Sequence, residues 1–391
     1  MRKNQNKIKI LLIALMLLLV TLVCTLVVTL NDLKKYESLN NAQKTTYHNS
    51  GVEISIPDVY YVAGAMDVAI YHSQITNLGA HISEYLVEWT TDYPNVRVEN
   101  DKFAISTVTG MNEEYPVCVE VFDKEGILLA KKDFTLKIVE PKQWQFSILA
   151  IGDSLSANGA LYTRMQELLG NQMICNGTRG YEGFLTEARL GFSAKDYLTE
   201  TGYYLEEGEE VHKFWNPESK RFDWNYYKTT TGFNPDVILL HLGTNGLLSV
   251  EENAENICKI VELIRQDDKK IPIYVVNTIY QSDQNGIGSM KLNNGSLMFP
   301  NQYKQQRDLA NFELREYLQE KLRNEKNVYL VPASISVDSE NVFAVEARTV
   351  NPYSEVTEEV AIDAVHPAPD GYHQIADMIY STMCATMEEW K

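Results

Sequence analysis

From Phe146 onward, short apolar runs alternate with longer stretches of helical period, and this rhythm limits the fold more than any other feature. The apolar runs are F-S-I-L-A-I from Phe146, M-I-C from Met173, V-I-L-L-H-L from Val237, I-Y-V-V-N from Ile273 and V-Y-L-V from Val328. Helical patterns cover Leu161 to Leu169, Ala254 to Arg265, Tyr303 to Leu322 and Gly371 to Met387. Strands separated by crossover helices build a parallel sheet, so residues 141–391 are expected to form an α/β domain. On such a sheet, catalytic groups gather beyond the carboxyl ends of the strands.

Ahead of that domain the character changes. V-E-I-S-I from Val52, Y-L-V-E-W from Tyr85, V-C-V-E-V from Val117 and F-T-L-K-I-V from Phe134 alternate with the period of half-buried strands. Asp123 to Gly126 is a turn signal among them. Residues 51–140 are therefore expected to be a small antiparallel β-sandwich, an accessory domain that binds glycan or acts as a spacer. Residues 31–50 are polar and weakly patterned, as a linker would be.

Residues Ile10 to Leu30 form an uncharged apolar run. As a helix it would extend ~32 Å, about one hydrocarbon core. Arg2, Lys3, Lys7 and Lys9 precede it without an acidic residue, which favours a cytoplasmic N-terminus. Residues 1–30 are thus expected to be a tail and transmembrane signal-anchor, with the rest of the chain extracellular. A cleaved signal peptide competes with that reading, but the run is long and lacks a small-residue cleavage site.

The chain has 35 Lys plus Arg against 53 Asp plus Glu, a formal charge of -18, which gives no general attraction to nucleic acid. Its five cysteines, Cys24, Cys118, Cys175, Cys258 and Cys384, show no spacing of zinc ligands. No metal or other cofactor is expected. One disulfide among the last four is open for an extracellular domain.

Three blocks carry chemistry. Gly152-Asp153-Ser154-Leu155 follows the first apolar run, placing Ser154 at a strand-to-helix bend where its hydroxyl would project above the sheet. Taken alone, Ser and Asp there are equally turn and cap residues. Asp363-Ala364-Val365-His366-Pro367 lies far downstream. Its carboxylate can hold the imidazole Nδ1 proton, leaving Nε2 as general base, although a capping Asp beside a surface His would look the same. His241-Leu242-Gly243-Thr244-Asn245-Gly246 ends the most apolar run, where the Asn245 amide can serve an oxyanion or merely a turn. His241 and His373 are read as structural.

In order, spacing and placement, these blocks resemble the SGNH/GDSL hydrolase family over roughly residues 145–391. The resemblance implies a flavodoxin-like parallel sheet and a serine esterase. It makes Ser154 the nucleophile, His366 and Asp363 its triad partners, and Ser154, Gly191 and Asn245 the oxyanion hole. Gly191 is chosen because Arg189-Leu190-Gly191-Phe192-Ser193 fits the family's glycine block better than Arg179-Gly180-Tyr181, which leaves Gly180 second. Gly246 stands where the family more often has Asp, which puts the local support of that loop in question.

An outward-facing member with an added β-domain resembles esterases that remove acetyl groups from polysaccharides. A lipase or thioesterase, a glycan O-acetyltransferase and a non-catalytic glycan-binding surface protein are the alternatives. Phe214, Trp215, Phe222, Trp224, Tyr226 and Tyr227 form an aromatic-rich insertion suited either to sugar stacking or to core packing.

Overall fold

The computed structural model describes residues 51–200, 211–282, 290–291, 297–299 and 302–390. The Ile10 to Leu30 run, the 31–50 linker and most of the stretch from Gln281 to Pro300 lie outside these residues. Among the described residues, no helix is long and apolar enough to cross a membrane.

The N-terminal part contributes seven strands: β1 (Val59–Ala63), β2 (Asp67–Tyr71), β3 (Leu86–Thr91), β4 (Val96–Val98), β5 (Lys102–Ser106), β6 (Glu113–Phe122) and β7 (Leu128–Val139). They form a four-stranded sheet in the order β1-β7-β6-β3 and a three-stranded sheet in the order β2-β5-β4. The larger sheet is mixed, because β1 runs parallel to β7; the expectation of a purely antiparallel arrangement is corrected here. A short turn through Ala65, at φ 62°, sends β2 into the other sheet, so β1 pairs with a strand distant in sequence. V-E-I-S-I from Val52 forms no regular strand: its one pairing is an isolated bridge from Ile54 to Thr76. The expected turn is present, with Asp123 Oδ1 accepting the N–H groups of Glu125 and Ile127 and Gly126 at φ 80°.

The α/β part is built on β8 (Phe146–Gly152), β9 (Met173–Asn176), β10 (Val237–His241), β11 (Ile273–Val276) and β12 (Val328–Val331). These five strands form a parallel sheet in the order β12-β11-β10-β8-β9. The order reverses direction between β8 and β10, and such a switch point opens a crevice at the strands' carboxyl ends. Helices α1 (Gly159–Leu168), α2 (Trp224–Thr231), α3 (Val250–Asp267), α4 (Gln302–Leu322) and α5 (Pro369–Thr386) flank it. Both faces of the sheet are covered, which is why β10 is buried at every position.

On one face, Leu149, Ile151, Ile238 and Leu240 meet Ile257, Val261 and Ile264 of α3 and Leu314 and Leu318 of α4. Spacings of three and four residues put the α3 side chains on one stripe. Phe214, Phe222, Trp224 and Tyr227 of the aromatic insertion are fully buried in this layer.

On the other face, Ile148 and Ala150 join Met165 of α1 and Ile375, Ile379 and Met383 of α5. That cluster continues without a break into Tyr60, Val62, Phe103, Val119 and Leu136 of the N-terminal sheets. Polar contacts reinforce the seam: the Tyr60 hydroxyl lies 2.6 Å from Ser336 Oγ, and the Ala63 N–H donates to Ser381 Oγ at 3.0 Å. Arg315, fully buried, donates to Ser55 Oγ, Ser334 Oγ and the Gln74 carbonyl at 2.8, 3.1 and 2.8 Å.

Candidate active site

β8 ends at Gly152, where a side chain would collide with Ser156 and with the His241 carbonyl at 2.7 Å. Only glycine lets β8 and β10 run this close at their ends. Asp153 then caps the short turn Ser154–Ala157, its carboxylate accepting the Leu155 N–H at 3.0 Å. Ser154 is thereby held, half-buried, at the carboxyl end of the sheet.

His366 reaches it from a different direction. An exposed antiparallel hairpin, Val345–Thr349 with Thr357–Ala361, leads into Asp363, and Pro369 in the first turn of α5 follows soon after. Asp363 Oδ1 accepts the N–H groups of Val365 and His366 at 2.8 and 2.9 Å, which folds the loop back on itself. Its Oδ2 lies 2.9 Å from His366 Nδ1, and His366 Nε2 lies 2.8 Å from Ser154 Oγ. A carboxylate at Nδ1 selects the tautomer with its proton there, so Nε2 accepts from the serine hydroxyl.

The electrostatics follow from these contacts. The hydrogen bond to Asp363 raises the His366 pKa above its ordinary value, against the opposing effect of burial. Burial pushes Asp363 upward, but the hydrogen bonds from the His366 ring, His366 N–H and Val365 N–H outweigh it and hold this carboxyl below its usual range. Asp153, fully buried behind the serine, is pushed up to about 7 by burial, against the Leu155 N–H hydrogen bond. The sequence identified Asp153 only as a capping residue.

Residues 187–189 run beside the end of β8, with the Glu187 N–H donating to the Ala150 carbonyl and the Arg189 N–H to the Gly152 carbonyl. The chain then turns at Gly191, whose φ of 74° favours glycine. One residue on, the Phe192 carbonyl accepts from Asn245 Nδ2 at 2.9 Å. The Gly191 turn is thus tied to the Asn245 loop through Phe192 and, through Arg189, to the end of β8 just before Ser154. Gly180 is elsewhere, paired with Leu185 in the hairpin Arg179–Tyr181 with Phe184–Thr186. The turn of that hairpin carries Glu182, which accepts the Gly159 N–H at the start of α1.

The Asn245 loop has supports that its sequence did not reveal. Asn253 Nδ2 donates to the Gly243 carbonyl at 2.9 Å, Arg307 Nη2 to the Thr244 carbonyl at 3.3 Å, and the Thr244 and Thr278 hydroxyls are bonded to each other. Gly246 lies at φ 78°, and the loop around it is held by these groups. His241 is fully buried; burial pushes its pKa down to about 4, so its neutral ring is packing material.

Among the described residues, no group of three or more His, Cys, Asp or Glu side chains could hold a metal ion. Cys118, Cys175, Cys258 and Cys384 are free thiols.

A family model for GDSL-like lipase/acylhydrolase matches residues 148–379. No curated protein matches the chain. Among solved structures, an acetyl esterase mutant with acetate ion is similar at 13% identity over 63% of this chain and 100% of that one, with a TM-score of 0.36. A protein described as a GDSL-like lipase from Bacteroides ovatus has 12% identity over 86% and 80% of the two chains, with a TM-score of 0.33. A member of the lipolytic protein G-D-S-L family from Veillonella parvula has 16% identity over 59% and 94%, with a TM-score of 0.32. The family match takes in β8, the serine turn, the Asn245 loop and the Asp363 to His366 loop, and covers more than half of the sequence. On that match the chain belongs to the GDSL-like lipase/acylhydrolase family and is a carboxylic ester hydrolase.

Proposed function

We propose that this hydrolase removes acetyl groups from carbohydrate at the outer face of a membrane, using Ser154, His366 and Asp363 as a catalytic triad. The observation that carries the mechanism is the unbroken chain of hydrogen bonds from Asp363 through His366 to Ser154, at 2.9 and 2.8 Å. Ser154 Oγ attacks the ester carbonyl while its proton passes to His366 Nε2. The N–H groups of Ser154 and Gly191 and the second amide hydrogen of Asn245 receive the developing oxyanion. His366 then protonates the departing alcohol, and a water deprotonated by the same imidazole releases the acid from Ser154. Asp363 keeps the imidazole in the required tautomer and stabilises its charged form.

The substrate class rests on the half-exposed triad, with the Asp363 and His366 side chains 37% and 39% accessible, and on Trp215 and Tyr226, the half-buried members of the aromatic insertion. A membrane location rests on the Ile10 to Leu30 run and the basic residues before it. Residues 51–140 serve in this reading as an accessory unit that holds residues 141–391 away from the membrane.

Acetate release from a panel of acetylated oligosaccharides, with Ser154→Ala as control, tests the proposal. The wild-type chain should release acetate from at least one glycan, and Ser154→Ala should lose about 10⁴-fold or more in kcat. Equal activity in the variant would overturn the nucleophile, and cleavage of lipid esters alone would overturn the substrate class.

A further inference from the structure

The aromatic insertion divides into two layers. Phe214, Phe222, Trp224 and Tyr227 point into the core, but Trp215 and Tyr226, one residue away from Phe214 and Tyr227, are only half-buried. With Phe233, these two line a cavity of about 580 Å³ that opens beside Gly177 and Thr178, just past the carboxyl end of β9. That volume falls in the range of small-molecule sites.

Two polar atoms of the residues that line this cavity are buried beneath its surface with no hydrogen-bond partner among the described residues: Trp215 Nε1 and His212 Nδ1. The roles of both are fixed. An indole N–H can only donate. His212 is 2% exposed, and its Nε2 lies 2.9 Å from the Thr199 carbonyl, so Nε2 carries the proton and Nδ1 offers a lone pair. Burial lowers the His212 pKa to about 4, so that lone pair persists at neutral pH. Orphaned buried donors and acceptors are costly and call for a partner.

Trp215, Tyr226 and Phe233 beside the hydroxyl oxygens of Thr178 and Thr230, which donate to Glu187 Oε2 and the Tyr226 carbonyl and keep lone pairs to accept with, fit a ring that is apolar on its faces and carries hydroxyl donors at its edge. Glu200 and Lys213 contribute one charge of each sign to the lining, which favours an uncharged ligand. We infer that this cavity is a binding site for a neutral sugar unit of a glycan. It lies one aromatic layer from the catalytic strand: the Tyr197 ring is 5.5 Å from that of His212, and its hydroxyl donates to the Gly152 carbonyl at 2.8 Å. The inference rests on the carbohydrate reading of the active site and gives it a separate place to hold the chain being deacetylated.

Calorimetric titration of the full-length protein in detergent with unacetylated xylotetraose, cellotetraose, mannotetraose and chitotetraose tests it. At least one tetraose should bind, Trp215→Ala should weaken binding at least about tenfold, and Trp215→Phe should restore part of the loss by returning the ring face. Hydrolysis of 4-nitrophenyl acetate should stay within about twofold in both variants, which shows that they fold. No binding by the wild type, or equal binding by an active Trp215→Ala, overturns the site. Tetraose binding without acetate release from acetylated glycans would remove the proposed reaction and leave the cavity. Acetate release with an unchanged KM in Trp215→Ala, and no tetraose binding, would remove the cavity and leave the reaction.

Discussion

The rim that carries Ser154 and the seam that joins the N-terminal sheets to α4 and α5 are built on opposite plans. At the rim, the Asp363 to His366 loop meets the Ser154 turn through a single hydrogen bond and the Asn245 side chain meets Phe192 through another, and the Asp363 and His366 side chains remain 37% and 39% accessible. At the seam, Tyr60, Ser381 and Arg315 are buried, and one apolar cluster runs through both parts. A half-exposed polar contact contributes little to stability because water competes for it, whereas a buried polar group that loses its partner costs the full desolvation penalty. Rim and seam should therefore separate rate from stability, with changes at one leaving the other nearly untouched.

The largest expected effect breaks the rim alone. Asp363→Asn keeps an oxygen for the Val365 and His366 N–H groups but can present an amide donor to Nδ1, which favours the wrong tautomer. We expect kcat for a small ester to fall about 10⁴-fold, with stability changed by less than about 1 kcal/mol. Kinetics beside a urea melt measure both; a large loss of stability would mean that the rim also holds the fold.

The seam should answer in reverse. Arg315→Met removes the hydrogen bonds to the Ser55 and Ser334 hydroxyls and to the Gln74 carbonyl; the carbonyl keeps the Tyr280 hydroxyl and Ser55 Oγ keeps the Gln319 amide. A loss of about 1–3 kcal/mol is expected in a denaturant melt, with kcat/KM for a small ester unchanged where the variant is folded. A folded variant with reduced turnover would show that the seam positions the site.

Between these lies Asn245→Ala. In the proposed mechanism this removes one oxyanion donor, so kcat should fall by about 10²–10³-fold with KM nearly constant, because an oxyanion charge exists only in the transition state. The lost contact to the Phe192 carbonyl is local to the rim, so the melt should move little.

The same contrast governs what could be read from the sequence. β8, β10 and β11 were legible because a strand covered on both faces is apolar at nearly every position. Ser154, Asn245, Asp363 and His366 could be singled out because they stand in recurring blocks, and the structure brings Asp363, His366 and Ser154 into one line of hydrogen bonds. V-E-I-S-I from Val52 misled because Ser55 and Ile56 are buried against α4 and the N-terminal core rather than by a strand partner along the whole run. The parallel pairing of β1 with β7 joins segments about 75 residues apart, and no local pattern records it. That Gly191 follows a segment running beside β8 while Gly180 lies in a separate hairpin is recorded only in the register of residues 187–189, and the supports from Asn253 and Arg307 arrive from α3 and α4. Local patterns encode which face is buried; they do not encode which distant loop completes a site.

The smallest effect is a shift in pH dependence, and it tests whether the rim acts as one electrostatic unit. His366 must be neutral at Nε2 to accept the serine proton, so kcat/KM should fall as pH drops through its raised pKa, by up to about tenfold per unit. A raised folded-state pKa stabilises the fold below the ordinary histidine value and loses that contribution as pH rises through the folded value. The lowered Asp363 works in the other direction: its contribution is present above the ordinary carboxylate value and is lost as pH falls through its folded value. The pair therefore stabilises most between about pH 4 and 6.5, and activity rises as the histidine contribution is lost. Asp363→Asn removes the first cause of the histidine shift, so the acid limb of its residual activity should move to lower pH. Arg315→Met should leave the limb where it is, since no contact of Arg315 reaches His366. An acid limb unmoved by Asp363→Asn would mean that His366 is set by something other than its hydrogen bond to Asp363, and the 2.9 Å contact would then be a matter of orientation alone.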